Sequence, residues 1–298
     1  MDKPKSPTVS VTMSTYNRAD LLPQVIDSIL NQDFRDLELL IVDGGSIDNT
    51  DSVIVQLMEQ DKRIRFIKFN DNQGLGFARQ AGLEHGQGRY FALADSDDIW
   101  MPGKLKAQVN ILDAHPEIDI LFGDFWNINH LAGTEASGFD ETRRGLSRLS
   151  TRQISPDLWI VDDGVEIGIL DSNFIAAPTM LIRASAFNKI GGFDPSLMAV
   201  DHEFAFRAGA LGARFAYINR PLIYRHVYSS SISQRPIKAH LDVLDALAVC
   251  RQVCGKSQRT DLIKDVDKAF YRTYLYLMVA YGQAGQRIQA WISYRKAF

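Results

Sequence analysis

Over its first hundred residues the chain alternates, four times, between a short apolar run and a stretch with helical spacing, and each apolar run stops at a polar turn. Residues 8–13 (TVSVTM) read as a strand ending in STYNR. Residues 37–42 (LELLIV) read as a buried strand ending at Asp43. Residues 64–69 (IRFIKF) and 90–94 (YFALA) supply two more, followed by NDNQGLG and ADSDD. Between them, Leu22, Val25, Ile26, Ile29 and Leu30 share one helix face. Val53, Ile54 and Leu57 follow a cap at Asp48, Asn49 or Thr50, and Ala78, Ala81 and Leu83 mark a third helix. This alternation predicts an α/β fold with a mostly parallel central sheet flanked by helices. Open sheets of that kind bind ligands beyond the carboxyl ends of their strands. The turns at 15–18, 43–48, 71–76 and 95–98 are therefore expected to gather along one edge.

Beyond Trp100 the pattern loosens. A helix is expected over 104–114, ending before Pro116, and a strand over 118–122. Residues 134–152, rich in Gly, Ser, Thr and charge, read as a mobile loop that can serve as a lid or acceptor loop. Late strands are expected at 214–218 and 222–224. From Lys238 onward the signal is helical: Leu241, Leu244, Leu247 and Ala248 form one stripe, and Leu262, Val266, Ala269, Phe270 and Tyr274 another. A boundary near Pro236 divides the chain into a main domain, 1–235, and a C-terminal helical region, 236–298. Tyr271, Tyr274, Tyr276, Tyr281 and Trp291 make that region aromatic, suited either to packing on the main domain or to a protein-partner or membrane-surface role.

With 46% hydrophobic residues and a net charge of −3, the chain is neither disordered nor basic enough for general nucleic-acid binding. Cys250 and Cys254 lie one helical turn apart in an apolar segment. They match neither a redox CxxC nor a zinc site, which suits a reducing cytosol. The opening MDKPKSP lacks the apolar core of a signal peptide, and no apolar run approaches the roughly 20 residues of a membrane span. The expectation is a cytoplasmic protein, at most peripheral at the inner face of the membrane. A P-loop, a G-x-S-x-G elbow and an H-E-x-x-H zinc motif are all missing, and Gly74-Leu75-Gly76 lacks the third glycine of a dinucleotide fingerprint.

Chemistry concentrates at Asp95-Ser96-Asp97-Asp98. Three carboxylates in four residues repel one another, and a hard divalent cation relieves that repulsion. The alternative is a solvated turn in which Asp98 caps the next helix. Asp43 either caps its turn or accepts the N–H of a nucleobase. Arg79, just past a Gly-rich loop, either lies on a helix surface or reaches a diphosphate or base. In Asp201-His202-Glu203 the two acids point to different helix faces, so one can face the crevice as a general base, unless Asp201 caps the helix. His226 is either a structural hydrogen-bonder or a metal or phosphate contact.

Taken in order, VSVTMSTYNRADLLPQVIDSILNQ, LELLIVDGGSIDNT, NDNQGLGFARQAGL, YFALADSDDIWMPGKL, KIGGFDPSLMAVDHEFAFR and YRHVYSSSIS resemble the inverting glycosyltransferases of family 2, over roughly residues 9–233. The resemblance implies a GT-A fold. It also implies transfer of a sugar from a nucleotide-diphosphate donor, most readily UDP-linked, to a hydroxyl acceptor such as a glycan, lipid-linked glycan or protein, in polysaccharide or glycoconjugate biosynthesis, with Mn²⁺ or Mg²⁺ as cofactor. Under it, Thr15, Tyr16, Asp43 and Arg79 hold the nucleotide base, Asp95 faces the ribose with Ser96 beside it, and Asp97 of the DXD motif binds the metal. Asp201 matches the catalytic base, and His226 a histidine near metal and diphosphate. Three positions depart from the family pattern. Gly44 replaces the second acid of Asp-Asp-Gly-Ser, Gln80 the Asn of Ala-Arg-Asn, and Val200 the Glu of Glu-Asp. A nucleotidyltransferase would instead carry a Gly-rich basic loop after the first strand, where this chain has STYNR. A non-catalytic nucleotide-sugar-binding scaffold is the third alternative.

Overall fold

The computed structural model describes residues 6–229, 231 and 234–297. Most of the opening segment read for a leader (residues 1–5) lies outside the described residues, as do Ser230, Ile232 and Ser233 of the YRHVYSSSIS motif.

The fourfold alternation folds as β1 (Val9–Thr15), α1 (Leu22–Leu30), β2 (Leu37–Asp43), α2 (Thr50–Gln60), β3 (Ile64–Lys68), α3 (Leu75–Glu84) and β4 (Tyr90–Asp95). These four strands are parallel, in the order β3-β2-β1-β4. In β1, Val9, Val11 and Met13 enter the apolar layer shared with α1, while Ser10 and Thr12 face the other side. That period of two is what a strand requires. On the second face α3 sits so close that a Cβ on Gly82 would fall 1.9 Å from the Thr12 hydroxyl.

The chain continues through β5 (Ile99–Trp100), α4 (Lys104–Ala114), β6 (Ile120–Asn129), β7 (Thr134–Ser137), α5 (Gly138–Glu141), α6 (Arg143–Leu146), β8 (Ser150–Ser155), β9 (Leu158–Asp163), α7 (Val165–Asp171), β10 (Leu181–Arg183), α8 (Ala184–Ile190), α9 (Val200–Ala210) and β11 (Phe215–Val227). The sheet grows past β4 in the order β10-β6-β11-β9-β8. This half is mixed: β10 is antiparallel to β4 and β6, whereas β6 and β11 run parallel. The mostly parallel sheet expected from the alternation is thus wholly parallel over β3-β2-β1-β4 and mixed beyond β4. Hairpin-length connections such as β8–β9 allow only antiparallel pairing. The two late strands are one, β11, which runs on through register shifts around Pro221.

Residues 134–152 are not a loop but β7, α5, α6 and the start of β8. Phe139 is buried against Phe122 and Tyr217, and Asp124 accepts from the Ser137 hydroxyl and the Phe139 N–H. Together with the packing of Gly145 on Ser172 and the pairing of β7 with β6 and of β8 with β9, these contacts order a segment whose composition is otherwise that of a surface loop.

The C-terminal region forms α10 (Pro236–Lys256), α11 (Ile263–Gln283) and α12 (Arg287–Ala297). Ala246, Leu247, Cys250 and Val253 of α10 join Phe204 and Phe206 of α9 in one continuous apolar cluster.

Candidate active site

The carboxyl ends of β1, β2 and β4 deliver their turns to one edge. Asp43, the last residue of β2, is fully buried. One of its oxygens accepts from the Ser46 hydroxyl at 2.5 Å and the other from the Ser46 N–H at 3.0 Å. Burial pushes its carboxyl above the usual range, opposed by these bonds. The carboxylate is thus held by its own turn, which it shapes. In that turn, Gly45 at φ +80° lies where a Cβ would meet the Asn70 carbonyl at 2.8 Å. Thr15 is buried, with its hydroxyl unpartnered among the described residues, and Tyr16 is 43% exposed at the crevice edge.

Arg79, on α3, is 3% exposed. Its Nη2 donates to Asp95 at 2.7 Å, while Nε and Nη1 are buried with no partner among the described residues. Burial alone would lower its pKa. Asp95, Asp201 and Asp98 act in the opposite direction, and the net shift is upward. It is thus a buried guanidinium with donor capacity to spare, not a surface arginine. Gly76, before it, is required by close packing. Gly76 donates its N–H to the Leu197 carbonyl at 3.1 Å, and a Cβ there would come within 2.4 Å of that oxygen. This contact seats the loop that leads into α9 against the start of α3.

The acidic turn divides its work. Asp95 faces Arg79. Ser96 is buried. Asp97 is paired with Arg18 at 3.4 Å, and burial, then repulsion from Asp95, raises its pKa. Asp98 is 2% exposed, and burial with its two acidic neighbours lifts its pKa well above the usual range. It does not cap the next helix. α4 starts only at Lys104, behind Gly103 in the left-handed region, and Asp98 accepts the His226 backbone N–H at 3.2 Å instead. That bond ties the end of β11 to the acidic turn.

His226 lies in a stack with His130 and Tyr228, its Nδ1 2.8 Å from His130 Nε2. Burial, then the neighbouring His130, lowers its pKa. Among the described residues, no three His, Cys, Asp or Glu side chains converge closely enough to hold an ion by themselves.

Asp201 lies in the first turn of α9, half-buried, and the helix is capped by Ala199 rather than by Asp201. Asn173 Nδ2 reaches its Oδ2 at 3.4 Å. Glu203 has no exposed surface and pairs with Arg207 at 2.6 Å, and Arg207 also holds the Ile190 and Gly192 carbonyls. Of the two acids on this helix, Glu203 is therefore committed to a structural ion pair, whereas Asp201 meets Asn173.

The family model for "Glycosyl transferase family 2" matches residues 10–165, just over half of the chain. The chain belongs to glycosyltransferase family 2. A Rickettsia felis protein named an uncharacterized glycosyltransferase is 31% identical over 213 residues, covering 69% of this chain and 32% of that one. A Methanocaldococcus jannaschii protein of the same description is 28% identical, covering 75% of this chain and 71% of the relative. The chain thus spans about a third of the length of the Rickettsia relative. Among solved structures, the Pyrobaculum calidifontis mannosyltransferase in complex with GDP-Man and Mn²⁺ superposes with a TM-score of 0.63 at 18% identity, covering 97% of this chain and 74% of that one. Residues 1–349 of Staphylococcus aureus TarS in complex with UDP-GlcNAc give 0.62 at 17% identity, covering 96% and 90%. The fold is GT-A.

The family departures have local explanations. Gln80, in place of Asn, accepts the Phe193 N–H at 2.8 Å and so holds the turn leading towards α9. Val200, in place of Glu, is fully buried in the core. His130 and Asn173, which contact His226 and Asp201, and Arg225, whose charge opposes the rise in the pKa of Asp97 and Asp98, are not singled out from the sequence, and Arg18 is placed on the ligand edge only as part of its turn. Arg225 lies within the YRHVYSSSIS motif, whereas His130 and Asn173 carry no sequence signal.

Proposed function

We propose that the chain is a metal-dependent inverting glycosyltransferase that moves a sugar from a nucleotide-diphosphate donor, UDP-linked by preference, to an acceptor hydroxyl. The observation that carries this reading is Arg79, a buried guanidinium with two unpartnered nitrogens, set among Asp95, Asp98 and Asp201 at the carboxyl edge of a parallel sheet. Its free donors suit the diphosphate or base of a donor. Tyr16 and the buried Thr15 border the base pocket, with Asp43 fixing its turn, while Asp95 and Ser96 lie on the ribose side.

The donor set fits Mn²⁺ or Mg²⁺. Asp97 is a carboxylate whose pKa is raised by burial and by repulsion from Asp95, His226 is an imidazole whose backbone N–H bonds Asp98 in the same acidic turn, and a hard cation commonly takes one or two carboxylates plus substrate phosphates. Asp97 and His226 would hold it, and when bound it supplies neutralisation of the charge on the departing diphosphate.

In the transfer, Asp201 takes the proton of the acceptor hydroxyl. The oxygen forms a bond to the anomeric carbon from the face opposite the nucleotide, and the bond from that carbon to the diphosphate oxygen breaks. The nucleoside diphosphate leaves with the bonding pair. One displacement inverts the anomeric configuration through an oxocarbenium-like transition state. Asn173 steadies the carboxylate of Asp201.

Calorimetry with UDP, GDP, dTDP and CDP, each with Mn²⁺ and with EDTA, tests the donor side. UDP binding that needs metal and disappears in Asp97→Ala is expected, and metal-dependent preference for another nucleotide would overturn the base assignment. Asp201→Asn is expected to retain nucleotide binding while transfer falls by about 10²–10⁴-fold. Full transfer by that variant would remove Asp201 as the base.

A further inference from the structure

The last helix is built inside out. The residues of α12 turned towards the protein are small: Ser293 is buried, and Ala290 and Ala297 are half-buried. Its large apolar residues point the other way. Ile288 is 72% exposed, Trp291 58% and Ile292 42%, at i, i+3 and i+4 on one face. Arg295 extends that stripe, its guanidinium carbon 5.0 Å from the Trp291 ring centroid. A surface helix of a globular protein ordinarily shows the reverse arrangement.

The charge of this region identifies what covers the face. From Lys268 to the last residue the sequence holds five basic residues and no acidic one, +5 against −8 for the rest of the chain. Lys268 and Arg272 are paired with Asp265 and Asp171. Arg287, Arg295 and Lys296 of α12 have no carboxylate partner among the described residues, and Lys296 lies over the Tyr274 ring. A second copy packed symmetrically, α12 on α12, would set cations against cations. Aromatic and aliphatic side chains interleaved with unpaired Arg and Lys are the composition of a helix lying in a lipid headgroup layer. No described helix is long and apolar enough to cross a membrane, so attachment through α12 would be peripheral.

We propose that α12 docks the protein on an anionic lipid surface, with Ile288, Trp291 and Ile292 at the acyl boundary and Arg287, Arg295 and Lys296 against the phosphates. The proposal stands apart from the assignment of donor and base.

The full chain is mixed with vesicles of phosphatidylcholine alone, or of phosphatidylcholine with phosphatidylglycerol, and the bound fraction is measured by sedimentation. Binding to the phosphatidylglycerol vesicles, lost in about 0.5 M NaCl, is expected. The double variants Ile288→Ser with Trp291→Ser, and Arg295→Glu with Lys296→Glu, are each expected to weaken partitioning by roughly tenfold or more. Circular dichroism and nucleotide binding should be unchanged in both, because none of these residues belongs to the site. Absence of binding, equal binding to both vesicle types, or full binding by the charge-reversed variant overturns the proposal. So does a concentration-dependent dimer in sedimentation velocity that Trp291→Ser abolishes, which would assign the face to a second copy.

Discussion

Lys104 has no exposed surface. Its ammonium lies 3.8 Å from the Trp100 ring centroid and donates to Gln108 Oε1 at 2.9 Å, and Gln108 in turn donates to the Thr179 carbonyl. Burial lowers its pKa to about 7, against about 10.4 in an unfolded chain. The unfolded state therefore binds one more proton than the folded state between those two values, and stability rises with pH across that window. Below about pH 7 both states are protonated and the contribution is flat, with the cost of burying the charge present in full. Lys104→Met is expected to remove this rise, so urea-unfolding curves of wild type and variant should diverge between pH 7 and 10. Parallel curves would mean that the ammonium is solvated in the native state. The sequence gives no sign of this burial, since a lysine at the start of a helix reads as surface. Asp43 and Asp98 were visible as acids after strands, but not as acids sealed inside. Whether an oxygen faces the crevice or its own turn depends on neighbours such as Ser46 and the His226 backbone, which the spacing of motifs does not specify.

The element that presents the proposed base is α9, and its placement rests on a clamp one turn beyond Asp201. Glu203 and Arg207 form an i, i+4 pair, fully buried on the acid side, and Arg207 ties the helix to the carbonyls at the end of α8. Glu203→Gln keeps the shape but leaves the guanidinium without its counter-charge. Removing one partner of a buried pair costs about 3–5 kcal/mol, so the urea midpoint should fall by a corresponding amount. Transfer should fall further than nucleotide binding, because Arg79 and the acidic turn are anchored elsewhere. An unchanged midpoint would show the pair to be dispensable. The elements legible in the sequence are those with a clean period, β1 to β4 and α1 to α4, together with the helical C-terminal region. Strands that begin where a composition looks loose were not. β7 pairs with β6 and is held through Ser137, Phe139 and Asp124, and β8 is held by its pairing with β9, contacts that local patterning does not encode.

At the scale of the whole molecule, the boundary at Pro236 coincides with the start of α10 but not with a division of the core. Phe204 and Phe206 of α9 share an apolar cluster with Ala246, Leu247, Cys250 and Val253 of α10, and with Val266 and Ala269 of α11. Arg259, just before α11, pairs with the buried Glu166 of α7 at 2.7 Å, and Arg272 of α11 pairs with Asp171 at the end of α7. Each of these contacts fastens the helical region onto elements that flank Asp201 through Asn173 and α9. Removing residues 236–298 would expose an apolar face and leave Glu166 buried without its cation. A chain ending at residue 235 is therefore expected to bind a hydrophobic dye, to lose its near-ultraviolet dichroism and to retain little nucleotide binding. In the full chain, tryptophan fluorescence and far-ultraviolet dichroism should report one coincident unfolding transition, as a shared core requires. A truncated chain that unfolds cooperatively and binds nucleotide as well as the full one would instead make the C-terminal helices an appended module. The membrane face of α12 would then be tethered to the catalytic unit rather than built into it.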